Sequence, residues 1–427
     1  MSEKLDVIIF GASGFTGKYT VFEAITVLQD YRWGIAGRSQ EKLENVLKDM
    51  GTKAQKNLMD TPIIIADINN ENSLLGMANK CRVLVNCCGP YRFFGEPVVR
   101  ACLEAGTHHV DVSGEPQYME TIQLKYNKEA IDRKVYIISA CGFDSIPAEL
   151  GIVFIEKNFD GVVNSVESYL QSYTKGEDTG GARIHYGTWE SAVYGLAHSN
   201  ELQEIRSKLY NEKLPKFHPV LKHRPLIFRS EIVNGVCLPF PGSDRSVVMR
   251  SQRFLYERDH KRPVQMHAYV TFKSWLSAAL VALFAVTFGL LTKFSFGRQL
   301  LLKYPKIFSF GFASHEGPSE ALMERTHFSF IMRANGWPNS DRLLESTDQY
   351  AEPPTKTLTV KVSGSNPGYG ATCVALLCTA VTILKQNDKM PGPGGVLPPG
   401  AAFAKTSLIS ELEKYEHGIK FEILANK

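Results

Sequence analysis

Three glycines, Gly11, Gly14 and Gly17, stand at a spacing of three residues in the stretch FGASGFTG. An apolar run at residues 7–10 precedes them and a helical pattern follows, which is the context of a dinucleotide-binding turn. In such a turn one glycine permits the tight bend, one lets the backbone approach a diphosphate, and one lets the helix pack close to the strand. The alternative is a glycine-rich bend that only joins a strand to a helix.

Polar and aromatic side chains lie between these glycines. Ser13 and Thr16 offer hydroxyl donors beside the predicted helix start, where unpaired backbone amides would bind phosphate oxygens. Phe15 occupies the same turn. We therefore include Ser13, Phe15 and Thr16 with the three glycines as candidate cofactor-binding residues.

The end of the second apolar run, IAGRSQEKL, indicates which dinucleotide is bound. An Asp or Glu about 20 residues after the glycines accepts hydrogen bonds from the ribose of NAD, whereas an Arg accommodates the 2′-phosphate of NADP. Arg38 and Ser39 stand at this point, and from there the first acidic residue is Glu41. We therefore predict NADP(H) in preference to NAD(H). In the alternative, Ser39 only caps a helix at residues 40–49 and Arg38 is a solvated surface residue.

Four further candidate cofactor-binding residues follow the third and fourth apolar runs. We place Asp67 near the adenine, unless it only caps the next helix. Asn86, Gly89 and Pro90 come at the end of the fourth run, in NCCGPYRFFGEP. They are included because parallel sheets bind their ligands at the carboxyl ends of the strands.

Two residues are candidate proton donors. Tyr91 follows the Gly-Pro turn, which carries it towards the redox end of the cofactor, and Asp144 follows the sixth apolar run in SACGFDSIPAELG. In the alternative, Tyr91 only packs beside the nicotinamide and Asp144 caps a helix at residues 147–156.

The elements that must position these residues form a regular series. Short apolar runs alternate with segments of helical spacing through the first 150 residues. This pattern predicts βαβ units and a doubly wound parallel sheet, so we assign residues 1–150 to a Rossmann dinucleotide-binding domain. The predicted strands are at residues 7–10, 33–36, 63–66, 83–86, 109–112 and 135–138.

After Gly151 the alternation ends and antiparallel strands are predicted at residues 165–173, 247–256 and 265–272. They indicate a second, α+β substrate domain, which we divide into residues 151–272 and 313–427. Within it, Thr188 of HYGTWESAVYG is predicted to cap a helix that begins near Trp189.

Between those two parts lies an uncharged apolar segment that begins at Ser274 and ends at Thr292, with aromatic residues after it. Its 19 residues meet the length test for a membrane helix. Since the chain on both sides resembles one fold, we predict monotopic attachment of residues 273–312 to the cytosolic face of the endoplasmic reticulum membrane or to a lipid droplet. The alternatives are a simple span and a buried core helix.

Composition excludes several other classes. The formal net charge of +4 is small for 427 residues and gives no support to nucleic-acid binding. The eight cysteines contain no CxxC pair, so neither a metal site nor a disulfide framework is predicted. The sequence also shows no secretory signal pattern.

Several motifs in order carry a resemblance to a known family. GASGFTG, AGRS, NCCGPYRFFGEPVV, DVSGEP, GFDSIPAELG, GTWESAVYG and GGVLPPGAAF together resemble the saccharopine dehydrogenase-like oxidoreductases of animals. The resemblance covers nearly the whole chain. It implies an NADP-type Rossmann domain and a second α+β domain, in a family that also includes bacterial trans-acting enoyl reductases acting on lipid intermediates of glycolipids.

These observations favour an NADP(H)-dependent oxidoreductase that reduces a C=C, C=O or C=N bond of an apolar, membrane-resident small molecule, within lipid or glycolipid metabolism. Two alternatives stay open. One is a lipid-attached nucleotide-binding scaffold without turnover, since no Tyr-x-x-x-Lys or Ser-His-Asp arrangement is evident. The other is a soluble saccharopine reductase-like enzyme of amino-acid metabolism.

Overall fold

The computed structural model of the protein describes residues 3–177, 180–338, 349–350 and 352–427. Strands and helices alternate up to residue 158. They are β1 (Leu5–Phe10), α1 (Phe15–Val27), β2 (Trp33–Gly37), α2 (Gln40–Ala54), β3 (Ile63–Ile65), α3 (Glu71–Ala78), β4 (Cys81–Asn86), α4 (Tyr91–Ala105), β5 (His108–Asp111), α5 (Pro116–Asp132), β6 (Tyr136–Ile138) and α6 (Ile146–Asn158).

The rest of the described chain contains longer strands and clusters of helices. They are β7 (Gly161–Thr174), β8 (Ile184–His185), α7 (Tyr186–Ala197), α8 (Glu201–Leu209), β9 (Phe228–Ser230), β10 (Gly235–Pro239), α9 (Asp244–Asp259), β11 (Gln265–Phe272), α10 (Trp275–Lys293), α11 (Ser295–Lys303), α12 (Pro305–Phe308), β12 (Ala313–Ser314), α13 (Glu320–Arg325), β13 (Thr326–Pro338), β14 (Lys356–Ser365), α14 (Thr372–Gln386), β15 (Gly395–Leu397), α15 (Pro399–Phe403), α16 (Leu408–Leu412) and β16 (Lys420–Asn426). A π-helical turn (Pro367–Ala371) precedes α14, and a 3-10 turn (Asn387–Lys389) follows it.

The first sheet is parallel and has the strand order β15-β6-β5-β4-β1-β2-β3. Val7, Ile8 and Ile9 of β1 are fully buried, because helices cover both faces of the sheet and each strand can be apolar throughout. All six predicted strands are present, which confirms the doubly wound fold. The seventh strand, β15, comes from the far end of the chain. The domain boundaries proposed at residues 150, 272 and 312 stay predictions.

The second sheet is mixed and has the order β16-β14-β13-β7-β11-β10-β9. Its longest strand, β13, pairs antiparallel with both β7 and β14, whereas β7 and β11 are parallel. This sheet confirms the predicted α+β part of the fold.

One strand prediction in this part is wrong, because residues 247–256 lie within helix α9. Val248, Ser251 and Leu255 are buried at helical spacing, with Arg253 half-buried on the other side. The local content of valine and aromatic residues is typical of strands, and here the packing of the helix on the second sheet overrides it.

Helix α10 coincides with the apolar segment singled out from the sequence. Ser274 caps it by accepting a hydrogen bond from the Ser277 amide at 3.1 Å. One side of the helix packs on the protein, where Ala278 contacts Val236 and Leu238 of β10. The opposite side is exposed, so the prediction of a fully buried core helix is excluded.

Candidate active site

The glycine turn after β1 is built around Gly11, whose φ of +78° lies in the left-handed region that favours glycine. The Gly14 amide donates to the Gly11 carbonyl at 2.9 Å and closes the turn. A side chain at Gly17 would collide with that same carbonyl, so α1 approaches the turn as closely as glycine allows. A Cβ at Gly14 would lie 3.2 Å from the Gly11 oxygen and near no other heavy atom, so this position faces open space.

The start of α1 is open to an anion. Gly14 occupies the N-cap position without a side-chain hydrogen bond, and the first turn of α1 contains no acidic residue. Within the described parts of the chain, the amides of Phe15, Thr16 and Gly17 have no hydrogen-bond acceptor. Unpaired amides and the positive end of the helix dipole bind phosphate oxygens, so these residues fit a dinucleotide diphosphate.

The three residues between the glycines differ in their contacts. Ser13 is exposed at the turn, and the backbone carbonyl of Thr16 accepts a hydrogen bond from the Thr20 hydroxyl at 3.0 Å. The Phe15 ring stacks on His185 at 4.7 Å and meets the edge of Tyr369 at 4.7 Å. Phe15 therefore holds the glycine turn against the later part of the chain, a packing contact that the sequence did not reveal.

Arg38 is exposed at the end of β2, and its guanidinium has no hydrogen-bond or ion-pair partner among the residues described. Burial raises the pKa of the Cys88 thiol to about 12, and the Arg38 charge opposes that shift. Ser39 caps α2, accepting from the Lys42 amide at 3.4 Å, as the alternative prediction held. An unpaired guanidinium at this edge is available to an anionic ligand.

Asp67 does not cap the helix that follows it. Its Oδ1 accepts the Asn69 amide at 2.9 Å, and the cap of α3 is Asn70, which accepts from Ser73 at 3.0 Å. That part of the alternative prediction is wrong, because a tight turn separates Asp67 from the helix. Its proposed place near the adenine stays a prediction.

The turn after β4 is fixed by buried hydrogen bonds. Asn86 Oδ1 accepts the Cys88 amide at 3.0 Å, and Asn86 Nδ2 lies 3.3 Å from His109 Nε2. Gly89 is exposed, and Pro90 immediately precedes α4. Of the three candidates here, Asn86 has its side-chain amide hydrogen-bonded within the protein. Gly89 leaves its backbone exposed at the carboxyl end of β4.

Tyr91 is buried, and its hydroxyl is already engaged. The hydroxyl donates to the Asn86 carbonyl at 2.8 Å and accepts from the Val112 amide at 3.4 Å. Burial raises the pKa of Tyr91 well above its usual value. A phenol that is buried and doubly bonded keeps its proton, so this geometry favours a structural role.

Asp144 lies partly exposed between two glycines. A Cβ at Gly114 would lie 2.6 Å from Asp144 Oδ2, and one at Gly242 would lie 2.8 Å from Oδ1. The Ser243 hydroxyl lies 3.4 Å from Oδ2 and is placed to donate to it. Burial raises the pKa of Asp144 to about 6, and the Ser243 hydrogen bonds oppose that shift. The cap position of α6 belongs to Ser145, so the prediction that Asp144 caps this helix is wrong.

Similarity to known proteins agrees with this geometry. A family model described as the saccharopine dehydrogenase NADP binding domain matches residues 7–138. The human saccharopine dehydrogenase-like oxidoreductase is 40% identical over 428 residues, covering 98% of this chain and 97% of the relative. The chain belongs to the saccharopine dehydrogenase-like oxidoreductases.

Other relatives extend the comparison. A Caenorhabditis elegans protein named lipid droplet localized protein is 34% identical over 98% of each chain. An Arabidopsis thaliana protein, a probable mitochondrial saccharopine dehydrogenase-like oxidoreductase, is 32% identical over 98% of this chain and 96% of its own. Among solved structures, the L-Glu-forming saccharopine dehydrogenase of Saccharomyces cerevisiae matches with a TM-score of 0.52 at 14% identity, covering 99% of this chain and 100% of the yeast chain. At that identity the match shows the fold.

In this oxidoreductase, the side chain of Glu115, the residue before α5, reaches the first amides of α4. Its Oε1 accepts hydrogen bonds from the Tyr91 amide and the Ser191 hydroxyl, both at 2.9 Å, and its Oε2 accepts the Arg92 amide at 3.0 Å. Helix α4 therefore has its anion supplied by the protein, whereas α1 does not. Glu115 was not singled out from the sequence, although its place in DVSGEP after β5 was a usable signal.

Helix α7 covers the same edge of the first sheet. It begins at Tyr186, and its cap is His185, whose Nδ1 accepts the Gly187 amide at 3.1 Å. The prediction that Thr188 caps this helix is wrong, because Thr188 already lies in its first turn. Ser191 of α7 faces Glu115, while Trp189 packs against α10.

A second buried carboxyl was also missed. Asp244, the first residue of α9, is fully buried, and neither of its carboxylate oxygens has a hydrogen-bond partner in the described chain. Burial, with the Asp144 and Glu149 charges, raises its pKa well above the usual value, so the group is held neutral. No local pattern points to Asp244, because the charges that act on it belong to Asp144 and Glu149, far back in the chain.

Proposed function

We propose that this oxidoreductase uses NADPH in preference to NADH to reduce an apolar molecule that resides at a lipid surface. The cofactor part is supported by the unpaired Arg38 guanidinium and the open amides at the start of α1. The lipid part is supported by the exposed apolar side of α10. The name of the C. elegans relative points to the same surface.

The turns after β1, β2 and β4 would hold successive parts of the cofactor. The amides of Phe15, Thr16 and Gly17 would hold the diphosphate, with the Ser13 hydroxyl beside them. Arg38 would bind the 2′-phosphate through its planar donor fork. When bound, NADPH supplies a hydride. Gly89, on exposed backbone after β4, would leave room at the redox end.

Of the two proton-donor candidates, Asp144 fits better than Tyr91. The Tyr91 hydroxyl donates its hydrogen bond to a backbone carbonyl inside the protein. Asp144 is partly exposed and has its pKa raised to about 6. A carboxyl whose pKa lies near the working pH can both hold and release a proton. In the proposed reaction, one atom of the double bond accepts the hydride and Asp144 gives a proton to the other. Asp144 is then reprotonated from solvent.

The alternatives to this proposal differ in their support. Membership of an oxidoreductase family favours turnover over a scaffold without it. An amino-acid substrate offers no reason for the exposed apolar side of α10. We place the protein on the cytosolic face of a membrane or on a lipid droplet. The comparisons lend no support to a glycolipid product.

Arg38→Glu tests the cofactor. The unmutated protein is expected to bind NADPH more tightly than NADH, and the variant is expected to lose most of that preference, on the order of 1–3 kcal/mol for one charge-assisted contact. The measurement is fluorescence titration of both reduced dinucleotides. Equal affinities in the unmutated protein would contradict the NADP(H) preference.

Gly14→Val tests turnover. The new side chain would occupy the diphosphate's place, so NADPH binding should be abolished while circular dichroism stays unchanged. Gly76→Val is the matched control, because a Cβ at Gly76 in α3 meets no atom within 4 Å. In cells lacking the protein, lipid profiling should show the same accumulated lipid with Gly14→Val as without any protein. Restoration of the normal profile by Gly14→Val would favour the scaffold.

A further inference from the structure

A continuous apolar surface runs along α10 and continues onto α11 and α12. On α10 the outward residues recur at helical spacing, and the aromatic turn after α12 continues the surface. Phe310 is 89% exposed, and its ring centre lies 6.2 Å from that of Phe284 of α10, which joins the two parts. We call this surface the apolar patch, defined by the exposed residues Leu276, Leu280, Leu283, Phe296, Ile307 and Phe310.

The patch is attached to the protein along its inner side. The Trp189 indole donates to the Leu301 carbonyl at 2.9 Å, and its ring lies 4.7 Å from that of Phe288. Near the other end of α10, Ala278 is packed on β10. Because both ends of α10 are held against the fold, the helix lies along the protein surface and presents one side outward.

The chain segment that forms the patch carries charge of one sign. From residue 260 to residue 315 the sequence contains no Asp or Glu, but seven Lys and Arg residues. Lys273, Lys293 and Lys303 are exposed, and within the described residues none of them has an ion-pair partner. Lys306 differs, since it pairs with Glu316 at 3.1 Å. Three unpaired lysines therefore stand at the ends of the helices that form the patch.

We propose that the apolar patch and Lys273, Lys293 and Lys303 together bind an anionic phospholipid leaflet, with α10 lying in its plane. This rests on the lipid attachment in the proposed function and adds the charge of the lipid. The apolar side chains would enter the acyl region, and the lysines would remain at the headgroups. A second copy of the chain fits less well, because pairing two patches would bring rims of the same charge together.

Flotation with two kinds of vesicle tests this proposal: phosphatidylcholine alone, and phosphatidylcholine mixed with phosphatidylserine. The full chain should bind the mixed vesicles more tightly. Each lysine near an anionic surface contributes about 1 kcal/mol, or about five-fold in affinity. The triple variant Lys273→Gln, Lys293→Gln, Lys303→Gln should therefore lose about 100-fold on mixed vesicles and little on neutral ones.

Two further variants separate the possible outcomes. The control is Lys48→Gln, Lys56→Gln, Lys128→Gln, which removes three exposed lysines of the first sheet's helices and loops and should bind as the unmutated protein does. Leu280→Arg with Leu283→Arg should lose binding to both vesicles. Retained NADPH binding shows that each variant is folded, and the lysine variants test the proposal even if the arginine variant does not fold.

The failures are distinguishable. Equal binding of the unmutated protein to both vesicles would overturn the anionic preference and leave lipid attachment standing. Binding to neither would overturn attachment as well, while the cofactor titration would still stand. A stable dimer by light scattering that the Leu280→Arg, Leu283→Arg variant dissociates would replace the leaflet with a second copy of the chain.

Discussion

Helices α10 and α14 are alike in composition and opposite in placement. Both belong to helical segments long and apolar enough to cross a membrane, Trp275–Lys293 and Pro367–Lys389, yet 17% of the first is buried and 83% of the second. Length and composition therefore do not decide which apolar helix is core. The surrounding elements decide, because α14 packs against α1, α16 and strands β4 and β5, whereas α10 has neighbours on one side only within the described chain.

The two helices do differ in side-chain size. In α14, Thr379 and Thr382 donate to carbonyls of their own helix at 2.7 Å, and small residues such as Ala375 and Ala380 allow close packing. The outward side of α10 instead carries large residues, such as Leu276 and Leu283. Hydroxyls bonded to their own helix do not separate the two helices, because Thr287 and Thr292 of α10 also donate to carbonyls of α10. What separates them is that the large apolar side chains on the outward side of α10 have no neighbours in the described chain.

The largest expected effect is the cost of the same substitution in the two helices. Leu377→Arg places an unpaired charge in a fully buried site of α14 and should cost about 4 kcal/mol or more, or prevent folding. Leu280→Arg on exposed α10 should change the free energy of unfolding by no more than about 0.5 kcal/mol. Urea denaturation of both variants is the measurement. Equal losses would mean that α10 is core in solution.

A smaller, pH-dependent effect is expected where the chain enters α14. His417 Nδ1 lies 2.7 Å from Glu23 Oε1 and His417 Nε2 lies 3.0 Å from Glu324 Oε2, and the His417 ring packs against Gly370 in the π-helical turn before α14. The hydrogen bond to Glu23, followed by that to Glu324, raises the pKa of His417 to about 10. At the corresponding end of α10 the described chain shows hydrogen bonds between Ser274 and Ser277 and no ion pair.

The sign follows from the raised pKa. Since the pKa of His417 is higher in the folded chain than its unfolded value of about 6.5, its stabilisation is complete below about pH 6.5 and is lost as the pH rises towards 10. His417→Gln should cost about 1–2 kcal/mol near pH 6, reduced by the exposure of Glu324, and little near pH 10. Denaturation curves at both pH values check this. An equal loss at both would exclude the charged form of His417.

The sequence predicted what repeats locally and missed what depends on distant contacts. The glycine turn and the strands of the first sheet follow from spacing that each segment carries by itself. Glu115, Phe15 and Asp244 take their roles from partners far along the chain, namely Ser191, His185 and Asp144. Residues 247–256 were misassigned for the same reason, since the second sheet that selects a helix there is formed by strands before and after it.

The smallest expected effect sharpens the comparison on α10 itself. A Cβ at Gly289 meets no atom within 4 Å, so Gly289→Ala should raise the free energy of unfolding by about 0.5–1 kcal/mol through helix propensity alone. Gly151→Ala in the buried helix α6 is the opposite case, because its Cβ would collide with the Met332 sulfur, and it should lower that energy.

Small residues such as glycine let two apolar helices approach closely within a membrane. If α10 instead contacts only lipid, Gly289→Ala should leave vesicle binding and the molecular mass in detergent unchanged. A lower molecular mass for the variant would mean lost self-association and would show that this side of α10 meets another helix.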